Sequence, residues 1–235
     1  MSNTTKPAPL TLYTVGTPNG QRVSVYLEEL KAAYELDYTW KKMNFATKEQ
    51  KEPWFLALSP NGRIPALVDH TRSDVAVFES AAILLYLSQH YDPARAFSWA
   101  PDTDGEEWSE MLQWMFFAHG GVAPMEAQVV HFLHQAPEKI PYAIARFVDE
   151  TKRLFGVLEL RLSGGLLEGD KPREWLVGDK YSIADMNAAP WVRAHRFVGV
   201  DSLDEWPHVK AWIERFEARG LRCRLGLTLR RYDER

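Results

Sequence analysis

The chain has 235 residues, 46% of them hydrophobic, with acids and bases mixed to a formal charge of −4 and a single cysteine, Cys223. That length supports a sizeable core in one or two domains, and the lack of a basic stripe excludes an electrostatic footprint for nucleic acid or a membrane surface. One cysteine excludes an internal disulfide framework and any Cys-x-x-Cys pair, and neither the opening MSNTTKPAPLT nor any later run carries a leader or span of apolar residues, so a cytosolic protein is expected.

Leu10 to Val15 is a short β-rich run, broken by Gly16-Thr17-Pro18-Asn19-Gly20. Helical spacing then starts with Val23, Tyr26, Leu27 and Leu30. Tyr38 to Met43 predicts a second strand, and Glu52 to Leu58, entered by Pro53, a short helix. Asn61-Gly62 is a turn dipeptide, and Ile64-Pro65 follows at once. The apolar runs Ala66-Leu67-Val68 and Val75-Ala76-Val77-Phe78, joined by the polar residues 69–74, predict a β-hairpin. Pro65 belongs at a strand start, where the lost ladder donor costs least, and the tight turn before it suits a cis bond. After Phe78 the period becomes helical, with Ala82, Leu85 and Tyr86 on one face. The order βαβαββα is thioredoxin-like.

Two helix starts carry candidate chemistry. Glu79-Ser80 sits where free N–H groups and the positive dipole end suit a carboxylate. Ser80 can donate to that carboxylate and Glu79 can hold an adjacent ammonium, a pairing that matches the α-carbon of an amino acid. The competing account is that the pair only caps the helix. At the first helix, Thr17-Pro18-Asn19-Gly20 reads either as a turn with Asn19 as N-cap or as the site loop of a thioredoxin-like unit, which here holds no cysteine.

Residues 90–104 are rich in Pro, Asp and Arg and lose periodicity, so the domain boundary is placed there, with domains at 8–92 and 105–235. Beyond it everything reads helical. Glu107 to His119 carries Trp108, Met111, Leu112, Met115 and Phe116, and Gly120-Gly121 with Pro124 are expected to bend or interrupt it. A second stretch runs from Pro124 to Leu133, and a third from Tyr142 to Leu162 with Ile144, Phe147, Val148, Leu154, Phe155 and Leu158 inward. The 164–174 insert reads as a polar surface loop. Ser182 and Asp185 form a capping box, and Trp206-Pro207 opens a last helix through Phe216.

The proline-led strand pair followed by Glu79-Ser80 closely resembles the glutathione-binding half of the glutathione transferase family, and the likeness extends from Leu12 to about Phe216. The resemblance implies a thioredoxin-like α/β domain followed by an all-α domain. It implies that Ile64, before Pro65, pairs with the cysteinyl backbone of glutathione, and that Glu79 and Ser80 hold the γ-glutamyl end. The Thr-Pro-Asn-Gly loop is similar to the Nu-class enzymes and the fungal nitrogen-regulator branch, in which Thr17 and Asn19 would sit beside the sulfur. Many other members carry Tyr, Ser or Cys in this loop. By the same likeness Gln50 meets the glycyl end, Arg146 a glutathione carboxylate, and Gln128 with His131 a second glutathione, although Val129 and Val130 stand where more polar residues are usual.

Trp114, Phe116, Phe117 and Phe132 are either core or the lining of an acceptor pocket. His131 and His134 are three apart on a helix, but no third ligand follows at metal spacing, so no metal is expected. The favoured function is glutathione-dependent reduction of a small disulfide with both thiols supplied by glutathione and substrate, in a homodimer. Conjugation of glutathione to a small electrophile is the second reading, and a glutathione-binding scaffold without turnover is the third.

Overall fold

β1 (Leu10–Thr14) buries Leu10, Leu12 and Thr14 on one face and turns Thr11 and Tyr13 to the other, the alternation of a pleated strand. The computed structural model describes residues 8–165, 169 and 171–219. These fall into two units, residues 8–93 and 94–219. In the first, α1 (Pro18–Tyr34) follows β1 and ends on Glu35, left-handed at φ 58°, whose N–H returns to the Lys31 carbonyl. β2 (Thr39–Lys42) pairs parallel to β1. A 3₁₀ turn at Glu49–Lys51, which the sequence reading did not foresee, leads into α2 (Pro53–Leu58). β3 (Ala66–Asp69) and β4 (Val75–Phe78) form the expected hairpin, antiparallel to each other and to β1, in the sheet order β2-β1-β3-β4. The Ile64–Pro65 bond is cis. α3 (Ser80–Tyr91) packs on α1 and completes a thioredoxin-like unit.

Central position explains burial. β3, flanked on both sides, is buried throughout, whereas edge strand β4 is exposed at both ends. On the α2 side, Met43, Phe55 and Ala66 form a core against which Tyr13, Val15, Leu58 and Ile64 pack. The buried stripe of α3 differs from the face marked by Ala82, Leu85 and Tyr86: Ala81, Ile83, Leu84 and Leu87 are buried and Ala82 is exposed. Tyr86 stays at the margin because its hydroxyl donates to Asp69 at 2.7 Å.

In the second unit, α4 (Gly105–Phe117) does not break at Gly120-Gly121 or Pro124. It continues through a π-helical turn at Ala118–Val122 into α5 (Ala123–Val130), and a second such turn follows at His131–Gln135. In the first turn the Ala123 N–H reaches five residues back to the Ala118 carbonyl. The wider turn absorbs an extra residue where the helix meets a proline with no donor, so helical conformation survives. α6 (Pro141–Ser163) packs on α5 and on α8 (Pro207–Ala218). Leu154, Phe155 and Leu158 are buried as expected, while Ile144, Phe147 and Val148 are only half-buried. Every residue of α7 (Ile183–Val192) is buried.

The aperiodic residues after Pro93 are anchored within this unit. Lys180 donates to the Arg95 and Ser98 carbonyls at 2.7 and 2.6 Å, with its ammonium over the Trp99 ring. Residues 166–168 and 170 of the polar insert and the segment from Gly220, Cys223 included, lie outside the described residues. Among the described residues no helix is long and apolar enough to cross a membrane.

Candidate functional site

The first helix start is built by Thr17. Its Oγ1 accepts from the Gly20 N–H at 3.3 Å, which makes Thr17 the N-cap in place of the expected Asn19. The reason is Pro18, which takes the first helical position with φ already fixed and no donor to lose. Asn19 is then the second residue of α1 and half-buried. Gly20 presses on β1: a Cβ there would lie 2.1 Å from the Val15 carbonyl oxygen and 2.4 Å from Thr14 Oγ1. The helix end is thereby seated at the carboxyl end of β1. No acidic residue occupies the first turn of α1, so the partial positive charge of its N–H groups is not offset locally.

At the second start Glu79 is the N-cap residue of α3, at φ 69°, yet its side chain makes no capping bond. The carboxylate is exposed, and Asn61 Nδ2 approaches it at 3.5 Å. Ser80 is the reverse, a buried hydroxyl that accepts from Arg22 Nη1 at 3.1 Å. Pure capping therefore does not describe this pair.

The intervening turn ties in the remaining residues of this unit. Gly62 has φ 60°, and a Cβ on it would meet Lys51 Nζ at 2.8 Å and the Gln50 carbonyl at 3.0 Å. Lys51 Nζ donates to the Asn61 carbonyl at 3.3 Å. Gln50 keeps a buried side-chain oxygen with no hydrogen-bond partner among the described residues, a group that a ligand's polar end can satisfy. The β3 ladder begins at Ala66, opposite Tyr13 and Phe78, so Ile64 and Pro65 stand just beyond its last registered pair. Contacts thus link Gln50 and Lys51 through Asn61 to Glu79, and Ser80 back to α1. From sequence Asn61 was read only as a turn residue, and Arg22 was not singled out. Their partners lie 18 and 58 residues away, and only the polar Arg22 beside the apolar stripe of α1 hinted at a role.

Two further matches decide the family. Residues 8–89 match the glutathione S-transferase N-terminal domain and residues 122–220 the glutathione S-transferase C-terminal domain. The chain belongs to the glutathione transferase family. Within it, this glutathione transferase stands in the Nu-class and Ure2p-like branch. It is 40% identical over 228 residues to the disulfide-bond oxidoreductase YfcG of Escherichia coli, covering 95% of this chain and 97% of that one. Among solved structures it is similar to URE2P6 of Phanerochaete chrysosporium in complex with oxidised glutathione, at 37% identity and a TM-score of 0.82, covering 95% and 96% of the two chains. It is also similar to a glutathione transferase of Burkholderia graminis with two glutathione molecules bound per subunit, at 36% identity and 0.76, covering 92% and 87%.

The other candidates belong to the helical unit of this glutathione transferase. Trp114 and Phe117 meet edge to face at 5.4 Å, and the Arg161 guanidinium lies 5.6 Å from the Trp114 ring centre. Phe116 turns outward, 62% exposed. Phe132 stacks on Phe147 at 5.7 Å, which commits it to the packing of helices. Gln128, His131 and Arg146 are exposed. His134 Nε2 lies 2.8 Å from the Phe197 carbonyl, with its ring stacked on that residue, so structure accounts for it. No group of three or more His, Cys, Asp or Glu gathers as a metal site among the described residues.

Proposed function

We propose that this protein binds glutathione and uses the bound thiolate to reduce small disulfides. The observation that carries the reading is the pair of open helix starts in one unit: the acid-free start of α1 at Thr17 and Asn19, and the start of α3 with a non-capping Glu79 beside Ser80. In this reading the α-carboxylate of the γ-glutamyl residue takes the Ser80 hydroxyl and the first N–H groups of α3, and Glu79 takes its ammonium. Ile64 pairs with the cysteinyl backbone, and Gln50 satisfies its side chain on the glycyl end.

Thr17 and Asn19 then face the sulfur. A thiol of pKa ~8.5 needs about 1.4 kcal/mol of thiolate stabilisation per unit lowered, and one helix dipole with one charge-assisted hydrogen bond supplies roughly one to two units. The thiolate attacks one disulfide sulfur, forming a glutathione mixed disulfide and expelling the other sulfur as a thiolate that takes a proton. A second glutathione thiolate attacks the glutathione sulfur of that mixed disulfide and releases the second substrate thiol. Two glutathiones become one oxidised glutathione and the disulfide becomes two thiols. No protein sulfur enters. YfcG, whose name is that of a disulfide-bond oxidoreductase, and the two-glutathione relative support this reading.

Conjugation to a small electrophile is the second reading, favoured by membership of the glutathione transferase family. Turnover with glutathione and 2-hydroxyethyl disulfide, compared with turnover on chlorodinitrobenzene, separates them. Dominant disulfide turnover supports the first, dominant chlorodinitrobenzene turnover the second, and neither the scaffold. The protein is further proposed to act as a two-fold dimer; light scattering that found only a 27.0 kDa species at micromolar concentration would contradict this.

A further inference from the structure

We infer that Arg22 is a specificity-determining residue of the γ-glutamyl subsite: its buried guanidinium fixes the Ser80 hydroxyl as a donor toward a ligand carboxylate. The inference rests on the glutathione reading of the α3 start and deepens it.

Arg22 lies in the second turn of α1 and is 1% exposed, an unusual setting for a guanidinium, and Ser80 at the first position of α3 is 4% exposed. Arg22 Nη1 donates to Ser80 Oγ across 3.1 Å. A guanidinium has donors only, whereas a serine hydroxyl has one hydrogen and two lone pairs. Once Arg22 occupies a lone pair, the hydroxyl cannot turn its hydrogen inward to Arg22. That hydrogen is left for an acceptor on the ligand side, where the first N–H groups of α3 also point. Among the described residues Arg22 is the hydrogen-bond partner found for this hydroxyl.

A charge-assisted bond polarises the O–H, and in a site removed from water such polarisation strengthens the next bond in the chain. The cation behind Ser80 also favours an anion in front of it. Both effects select for a carboxylate at this point and act weakly on a ligand that lacks one. Arg22 touches the ligand only through Ser80, so it is a positioning residue.

The test compares glutathione with an analogue whose γ-glutamyl α-carboxylate is replaced by hydrogen, 4-aminobutyryl-cysteinylglycine, by calorimetry on the full chain. The wild-type protein should prefer glutathione by roughly thirtyfold or more. In Arg22→Met this preference should fall about tenfold, through loss of glutathione affinity with the analogue's affinity unchanged. Arg22→Lys, which keeps the charge and a donor, should stay within about threefold of wild type. If the methionine variant does not fold, Arg22→Gln takes its place with the same outcomes. An unchanged preference in the uncharged variant, or equal losses for both ligands, overturns the inference and leaves Arg22 a packing residue. A wild-type protein that binds both ligands equally instead overturns the parent assignment of Ser80.

Discussion

The starts of α3 and α7 look alike in sequence, each setting a serine close to an acid ahead of an apolar helix. In the structure they are opposites. At α7 every group turns inward: Ser182 accepts from the Ala184 N–H, and Asp185 accepts from the Ser182 N–H and hydroxyl, the Leu176 N–H and Trp212 Nε1. At α3 the acid is exposed and makes no cap, the backbone beneath it is left-handed, and the serine is held from behind by Arg22. The closed start is a folding element. In the proposed reading the open one presents N–H groups and the Glu79 carboxylate to a ligand, so that one fold separates what stabilises it from what it recognises.

Breaking the closed start should give the largest effect. Asp185→Ala leaves three buried N–H donors without their acceptor, and at pH 4 a loss of about 4 kcal/mol is expected from urea unfolding. The loss should shrink as pH rises. Burial pushes the Asp185 carboxyl up from 3.8 to about 6, against the hydrogen bonds from Leu176, Trp212 and Ser182. Between about pH 4 and 6 the folded state therefore binds more protons than the unfolded chain, and stability from this group declines with rising pH, by about 2–3 kcal/mol in all. A loss that grew with pH in this window would contradict the assignment. Asp69 has the opposite sign. Burial acts to raise it, but hydrogen bonds from Tyr91, Thr71 and Tyr86 outweigh burial and hold it below the ordinary carboxylate value. Its contribution is present above about pH 4 and is lost as pH falls through its lowered pKa.

Breaking the open start should leave the fold alone. Glu79→Ala removes an exposed carboxylate with no capping bond, so stability should change by less than about 0.5 kcal/mol. Glutathione affinity should fall roughly ten- to a hundredfold, or about 1.5–3 kcal/mol, because the ligand ammonium loses its partner. Unchanged affinity by calorimetry together with lost stability would mean that α3 is an ordinary cap and that the comparison fails.

Much of this was legible from local pattern. The hairpin, Pro65 at a strand start, the Glu79-Ser80 helix start and the Ser182–Asp185 box all depend on residues a few positions apart, where turn chemistry and periodicity act. What escaped depends on partners far along the chain. Arg22 meets Ser80 across 58 positions, and the true stripe of α3 follows from what α1 and the sheet cover. The Thr17 cap was missed because Asn19 is the stronger capper by type, while Pro18 decides which residue stands at the boundary. Gly120-Gly121 and Pro124 read as a bend or an interruption, and the π-helical turn found there was not foreseen because neither residue type reports that a helix can widen by one residue and continue.

The central claim is that the start of α1 stabilises a thiolate belonging to glutathione and not to the protein. Its most direct test is the thiol pKa of glutathione bound to the wild-type protein and to Asn19→Ala, followed by thiolate absorbance, with Cys223→Ser as the control. The account predicts a wild-type value about one to two units below ~8.5, a rise of about one unit in Asn19→Ala with glutathione still bound, and no change in Cys223→Ser. Disulfide turnover in Asn19→Ala should fall at neutral pH and partly recover as pH approaches the new value. A bound thiol that titrates like free glutathione, or a Cys223→Ser variant that loses turnover while Asn19→Ala keeps it, would place the reacting sulfur in the protein and contradict the account.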